Sequence, residues 1–133
     1  MSINISWKLD MEIQSGPSVV VTNAVQVNAY DRIEVEVPDT SATPTATTID
    51  VQPGAVGKVK VVLIKSNRYG DNLKYRVHDN TTTERVLNDA LFLAGAGSVD
   101  LLEGGGAAPL DKLLVTNTTG QNVILEIIVG RES

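Results

Sequence analysis

Residues 2–13 read Ser-Ile-Asn-Ile-Ser-Trp-Lys-Leu-Asp-Met-Glu-Ile, and polar and apolar side chains alternate along them without exception. In a β-strand successive side chains point to opposite faces, so this alternation places every apolar residue on one face. The pattern predicts a strand with one buried face and one solvated face. We therefore expect the core to begin near residue 2, with no targeting segment before it.

Similar short segments recur to the C-terminus, separated by residues that favour turns. The further predicted strands span residues 19–29, 31–37, 48–52, 57–66, 73–77, 90–94, 98–102, 113–117 and 122–129. The loop chemistry of residues 67–72 predicts a hairpin between its two flanking strands, and residues 118–121 are expected to join another strand pair. Residues 79–89 are compatible with either an edge strand or a single helical turn.

The number and length of these segments indicate the fold class. No segment predicts a helix of three turns, and eight to ten short strands favour an all-β fold, an antiparallel β-sandwich with a jelly roll as the first choice. A chain of 133 residues suits a single domain over residues 1–133, which buries about two-thirds of the surface that the unfolded chain exposes.

The composition argues against several classes of protein. The net charge is −5, from 16 acidic and 11 basic residues, and neither half of the chain is a basic arm, which disfavours direct nucleic-acid binding. No apolar run approaches the ~20 residues that a bilayer requires, so no membrane span is expected. The chain has no cysteine, which removes disulfides, thiolate metal ligands and thiol nucleophiles. No secretion signal is visible, so we expect assembly inside a cell.

Two motifs have residue types that are found in catalytic or phosphate-binding sites. His78, the only histidine, is followed by Asp79, and such a pair can serve as base and orienting group in a hydrolase. Neighbours on a strand point apart and no Gly-x-Ser-x-Gly turn is present, so an exposed strand-end residue is favoured. Gly104-Gly105-Gly106 lacks the Lys-Ser/Thr of a phosphate loop and is interpreted as an ordinary loop. We predict no catalytic residue, no metal site and no cofactor, and hence no enzyme.

Two predicted strands, residues 59–64 and 123–129, are apolar on both faces. The interface candidates chosen on them are Val62, Ile64, Ile124 and Ile128. Surplus apolar surface on a small domain is typical of an interface, although a central strand covered by its own domain has the same pattern. The Ser/Thr-rich loop at residues 38–48 and the N-terminal strand are candidate arms that add to a neighbour's sheet edge. We expect a homo-oligomer.

The loop at residues 67–72 contains the aromatic residue that is best placed for contact with a ligand. Tyr69 lies there beside Arg68 and Asp71, and we take these three as exposed contact candidates. An aromatic ring can stack on the apolar face of a sugar, so a carbohydrate-binding module is one possible function. Trp7 and Tyr75 fall in apolar registers and are predicted to pack in the core.

The segment Lys65-Ser66-Asn67-Arg68-Tyr69-Gly70-Asp71-Asn72-Leu73-Lys74-Tyr75, the ending Ile128-Val129-Gly130-Arg131 and the all-β pattern resemble small virion proteins of tailed bacteriophages. The likeness covers most of the chain and is closest to capsid cement or decoration proteins. It implies a structural protein on the capsid surface of the virion, assembled in the host cytoplasm, that stabilises the capsid by bridging capsomers. The implied partners are further copies of the chain, with a homotrimer favoured, and the major capsid protein. The alternative is a carbohydrate-binding module or another binding protein of a phage tail or fibre.

Overall fold

The computed structural model describes residues 2–51, 57–104 and 108–132. These ranges contain ten strands and one short helix. Their bounds are β1 Ile3–Glu12, β2 Ser18–Val27, β3 Ala29–Val37, β4 Ala46–Asp50, β5 Val59–Ser66, β6 Leu73–Val77, β7 Arg85–Val86, β8 Leu91–Ala94, α1 Ala96–Leu102, β9 Lys112–Asn117 and β10 Val123–Arg131.

Eight of the strands form two four-stranded sheets that enclose one core. The first sheet has the order β3-β10-β5-β8, and the second has the order β4-β9-β6-β7. Every pairing is antiparallel. Buried residues of both sheets, such as Ile127 of β10 and Leu113 of β9, belong to the same apolar cluster. The predicted all-β antiparallel sandwich is confirmed.

Alternation in the sequence explains which side chains enter this core. In β10 the buried residues are Val123, Leu125, Ile127 and Val129, which are the four that period-two alternation places on one face. In β6, Leu73, Tyr75 and Val77 are buried in the same way. Burial of several such faces between two sheets supplies the main favourable contribution to folding.

The doubly apolar strands occupy central positions in the first sheet. Val62 is 0% exposed and Ile64 is 2% exposed, and both belong to the core. This corrects their assignment as interface candidates, because β5 lies between β10 and β8 and its inward face is covered by the second sheet. Ile124 is 42% exposed and Ile128 is partly buried.

The predicted hairpin across residues 67–72 is wrong. β5 pairs with β10 and β8, whereas β6 pairs with β9 and β7, so the two strands lie in different sheets. Both edges of β5 are already occupied, and the loop therefore crosses the sandwich. Residues 118–121 likewise connect β9 of the second sheet to β10 of the first.

The predicted strand at residues 98–102 is also wrong, because these residues belong to helix α1. Val99 and Leu102, three positions apart, are the buried residues of the helix, which is the spacing of one helical face. Gly95 precedes the helix with φ +91°, a left-handed conformation that glycine adopts without strain.

The Ser/Thr-rich loop is held against the sandwich and does not extend as an arm. The backbone N–H of Thr40 donates to the carbonyl of Asn117 at 2.8 Å, and that of Asp39 donates to Asn122 Oδ1 at 2.9 Å. Strand β4 begins at Ala46, two residues before the predicted strand. Pro53-Gly54, a residue pair that predicts a turn, lies outside the described residues, as does most of the Gly-rich segment at residues 104–106.

Candidate functional site

Strands β1 and β2, with the turn at residues 13–17, form a two-stranded hairpin that we call the arm. The two strands pair with each other from Ile3↔Val27 to Glu12↔Ser18 and belong to neither four-stranded sheet. Directly opposed residues of an antiparallel pair point to the same face. Ile5 therefore shares a face with Val25, and Leu9 shares it with Val21. The arm has one apolar face, as the alternation predicts.

The base of the arm lies on the outer face of the first sheet. A β-carbon built on Gly130 of β10 would stand 2.9 Å from Ile5 Cδ1, 3.1 Å from Val27 Cγ1 and 2.7 Å from Val61 Cγ1. Val27 and Val61 are each 2% exposed, although Val61 points away from the core of the sandwich. The absence of a side chain at Gly130 thus allows the arm to pack closely on the sheet.

One step further along the arm, Trp7 contacts Phe92 of β8. Their rings meet edge to face with centroids 5.1 Å apart, a favourable aromatic geometry. The contacts of the arm pass from β10 at Ile5 to β8 at Trp7, and β8 is the edge strand of its sheet. Trp7 is therefore the last residue of β1 that is supported by the sandwich.

Beyond Trp7 the apolar face of the arm is uncovered. Five of its residues, which we call the distal apolar face, are 41% to 51% exposed: Leu9, Met11, Ile13, Val19 and Val21. From residue 8 to the turn the arm extends by about 20 Å at the usual rise of a strand. The opposite face carries Lys8, Asp10 and Glu12. The expectation that the whole apolar face of residues 2–13 is buried is therefore wrong for its distal half.

This distal half is unusual in energetic terms. A two-stranded hairpin is at best marginally stable in water unless its apolar face is covered. Five half-exposed side chains of this size form a contiguous patch on the order of 400 Å², and patches of that size on monomers often mark interaction sites. The patch contains no ionisable group, so a partner can cover it without burying a charge.

The outer face of the first sheet beyond the arm is polar by comparison. Ile124 and Ile128 lie on it, and Glu126 stands between them along β10. The carboxylate of Glu126 forms an ion pair with Arg32 of β3, and Arg32 also lies 3.8 Å from Glu34. This row of charges separates the two isoleucines, so they do not form one continuous apolar surface.

The fold brings together the three predicted loop contacts. Arg68, Tyr69 and Asp71 line a cleft of about 350 Å³. Thr119 and Gln121, from the β9–β10 loop that lies beside them, complete its lining. The phenol oxygen of Tyr69 accepts a hydrogen bond from the backbone N–H of Ser66 at 3.2 Å, which holds the ring while leaving it 37% exposed. The contribution of residues 118–121 was not predicted, because nothing local in the sequence indicates that these two loops are adjacent.

His78 has a partner that sequence analysis missed. Its Nδ1 lies 2.8 Å from Asp111 Oδ1, whereas its Nε2 lies 3.9 Å from Asp79 Oδ2. The hydrogen bond from the hydroxyl of Thr81 holds the pKa of Asp79 below its ordinary value. Both ring nitrogens of His78 thus face carboxylates, and no hydroxyl of the described residues bonds to the ring. The hydrogen bond to Asp111 fixes the orientation of the imidazole ring.

A buried carboxylate lies in the same region. The side chain of Glu103 is 1% exposed and lines a cavity of about 450 Å³ with His78 and Arg85. Its oxygens accept hydrogen bonds from the backbone N–H groups of Leu110 at 3.1 Å and Gly57 at 3.5 Å. Glu103 therefore ties two loops together, and its carboxylate is partnered.

Within the described ranges, no group of three or more histidine and acidic side chains is arranged to hold a metal ion. Among the same residues, no helix has the length and apolar character needed to cross a membrane. No protein-family model matches the chain, and no curated protein and no solved structure was found to match it.

Proposed function

We propose that the chain is a structural virion protein of the capsid cement or decoration type, which stabilises a phage capsid by bridging capsomers. The observation that carries this proposal is the distal apolar face of the arm, which is uncovered on an otherwise closed domain. Its role is mechanical, and its partners are other copies of itself and the major capsid protein. It is assembled in the host cytoplasm and works on the outside of the shell.

The uncovered apolar face of the arm favours association with a partner over a monomeric state. Exposed apolar strands tend to aggregate unless a specific partner covers them. Burial of a half-exposed valine, leucine or methionine side chain contributes about 1 kcal/mol, so the five residues together can stabilise a contact substantially. A projecting element that gains stability on docking is suited to linking one subunit to the next.

We also infer that the sandwich is a jelly roll. The strand orders β3-β10-β5-β8 and β4-β9-β6-β7 support this assignment, because every connection from β3 to β10 except β6 to β7 passes from one sheet to the other. Jelly rolls occur in viral capsid proteins and also in lectins. The fold is therefore compatible with both candidate functions and does not choose between them.

Purified particles test the proposal. Particles of the phage that encodes the chain are banded on a density gradient, and the ratio of this chain to the major capsid protein is measured by mass spectrometry. We expect a fixed ratio of the same order as the number of capsomers. Heads that lack the chain should release DNA at a lower temperature, and purified chain should restore their stability.

The matched control uses two neighbouring valines of β2. Val21→Lys places a charge on the distal apolar face, whereas Val20→Lys places it on the opposite face, where Val20 is 53% exposed. We expect the Val20→Lys chain to restore head stability and the Val21→Lys chain to restore less of it. Absence of the chain from particles, or heads that are equally stable without it, would contradict the proposal.

A carbohydrate-binding module is the second candidate, and the cleft around Tyr69 favours it. The cleft combines an exposed aromatic ring with Arg68, Asp71 and Gln121, a mixture of stacking and hydrogen-bonding groups that suits a sugar. A glycan array probed with the wild-type chain and with Tyr69→Ala tests it. Specific signals that Tyr69→Ala abolishes would support this function, and an array without signals would remove it.

A further inference from the structure

We infer that the distal apolar face is covered by the arm of a second copy of this chain, with the two arms antiparallel about a two-fold axis. The inference rests on the proposed assembly role and adds the identity of the arm's partner. It concerns only the contact between copies and not the surface that meets the capsid.

The position of the sandwich relative to its own arm excludes a parallel pair of arms. At its base the apolar face of the arm turns toward its own sandwich, since Ile5 packs at Gly130 and Trp7 packs on Phe92. An arm that pointed the same way would place its base in the space that this sandwich occupies. A second arm can therefore reach the distal apolar face only from the free tip, in the opposite direction.

The antiparallel arrangement is self-complementary, as a two-fold interface requires. It places β1 opposite β1 and β2 opposite β2. With the two-fold axis at Met11, Leu9 of one copy faces Ile13 of the other, and the two Met11 side chains face each other. Two sheets packed in this way lie about 10 Å apart and bury both apolar faces. The resulting four-stranded unit meets the condition for a stable small β-structure, which one arm alone does not meet.

The distribution of charge favours a second arm as the partner of the distal apolar face. The alternative partner is the outer face of the first sheet of another copy. The distal apolar face carries no ionisable group, whereas the outer face of the first sheet carries Arg32, Glu34 and Glu126 in ion pairs. Seating an arm on those groups would remove water from charged side chains, which is unfavourable. Pairing two arms leaves Lys8, Asp10 and Glu12 of each copy on the solvated side.

The interface predicts both a mass and an affinity range. Two patches of about 400 Å² bury a total on the order of 800 Å², which is below the usual size of stable interfaces. Association should therefore be concentration-dependent, with a dimer of twice the 14.2 kDa chain mass that dissociates on dilution. A two-fold pair of arms gives this dimer and not the trimer that the family resemblance favours.

Light scattering over a concentration series, with the two lysine variants, is the first test. We expect the wild-type chain and Val20→Lys to dimerise alike, and Val21→Lys to raise the dissociation constant by at least about a hundredfold, because it buries a charge. A wild-type chain that is monomeric up to about millimolar concentration, or a stable trimer, would overturn the inference. Equal effects of the two substitutions would also overturn it.

Cross-linking tests the geometry, since the chain contains no cysteine. The single variant Met11→Cys, whose two copies face each other across the axis, is treated with a bismaleimide that spans about 10 Å, the distance between packed sheets. We expect Met11→Cys to cross-link into a dimer, and Asp10→Cys, on the polar face, to remain uncross-linked. Cross-linking of Asp10→Cys at the same rate would overturn the arrangement.

The two proposals can fail independently. A chain that is monomeric in solution but present in particles at a fixed ratio would leave the capsid function in place and remove the arm pair. A chain that forms the cross-linked dimer but is absent from particles would remove the capsid function and keep the arm pair.

Discussion

The Cδ1 atom of Ile5 lies 2.9 Å from the position that a β-carbon on Gly130 would occupy. Real β-carbons do not approach other heavy atoms so closely, and Val61 Cγ1 would be closer still at 2.7 Å. Gly130 is thus the point at which β10 admits the base of the arm. A side chain there must displace the side chains of Ile5, Val27 and Val61, which join the arm to the sheet.

We therefore expect Gly130→Ala to destabilise the protein by about 1–3 kcal/mol, the usual effect of overpacking a closed contact. Urea denaturation measures the change, and the fluorescence of Trp7, the single tryptophan, reports whether the arm leaves Phe92. Gly97→Ala is the matched control, because no atom lies within 4 Å of its built β-carbon and alanine favours a helix. A Gly130→Ala protein as stable as wild type would contradict this account of the base.

Asn117 provides a second test, at the junction of the two sheets. The residue is 0% exposed, and its Nδ2 donates to the carbonyls of Val37 at 3.1 Å and Gln121 at 2.7 Å. Its Oδ1 accepts hydrogen bonds from the N–H and the hydroxyl of Thr119. All the polar atoms of this buried side chain are therefore satisfied.

Asn117→Asp places a carboxylate oxygen against two carbonyl oxygens in a buried site. We expect a loss of about 2–4 kcal/mol at neutral pH, because a buried charge then faces acceptors in place of donors. Stability should recover in part at acidic pH, where the carboxyl is protonated and can donate one hydrogen bond. Denaturation at two pH values measures this, and a pH-independent loss would count against the assigned hydrogen bonds.

The sequence predicts the strands well because the period of two is a local property. β3, β6 and β10 have the same inward faces that alternation predicts, as in Leu73, Tyr75 and Val77 of β6. Connections between strands depend on distant pairing. The loop after β5 has hairpin residues, yet β10 and β8 occupy both edges of β5, and no local signal reveals that competition.

The candidate site shows the same limit. Alternation predicts which side chains of residues 2–13 share a face. It contains no information on how much of that face the sandwich covers. Support from the sandwich therefore ends at Trp7, although the pattern continues to Ile13. The contact of His78 with Asp111 was missed for a related reason, since these residues meet only through the pairing of β6 with β9.

Thr81→Ala should alter the acid dependence of stability. The hydroxyl of Thr81 donates to Asp79 Oδ1 at 2.6 Å, and this bond is the largest cause of the lowered pKa of Asp79, whose ordinary value is 3.8. A carboxyl whose pKa is lowered in the folded state contributes stability above its unfolded pKa, and this contribution is lost as pH falls through the folded pKa.

Removal of the Thr81 hydroxyl should raise the pKa of Asp79 toward 3.8 and weaken the dependence of stability on pH in the acidic range below about 4. A carboxyl-detected NMR titration of Asp79 measures the pKa directly. Thr83→Ala, two residues further along the same loop, is the control and should leave the Asp79 titration unchanged. An unchanged pKa in Thr81→Ala would show that the hydroxyl bond does not govern this carboxyl.

Substitutions of Trp7 test whether the aromatic contact at the base of the arm depends on the indole N–H or only on an aromatic ring. The Nε1 of Trp7 is buried and has no hydrogen-bond partner among the described residues, and a buried donor without a partner costs about 1–3 kcal/mol.

Trp7→Phe removes that donor and keeps an aromatic edge for Phe92, while it gives up part of the buried apolar area. The two effects oppose each other, so we expect Trp7→Phe to change the unfolding free energy by less than about 1 kcal/mol, whereas Trp7→Ala loses the contact altogether and costs about 3 kcal/mol. Thermal denaturation followed by far-UV circular dichroism, which does not need the tryptophan signal, measures both variants. Equal losses in the two variants would contradict this balance of effects, and a loss in neither would mean that the base of the arm is not held at Trp7.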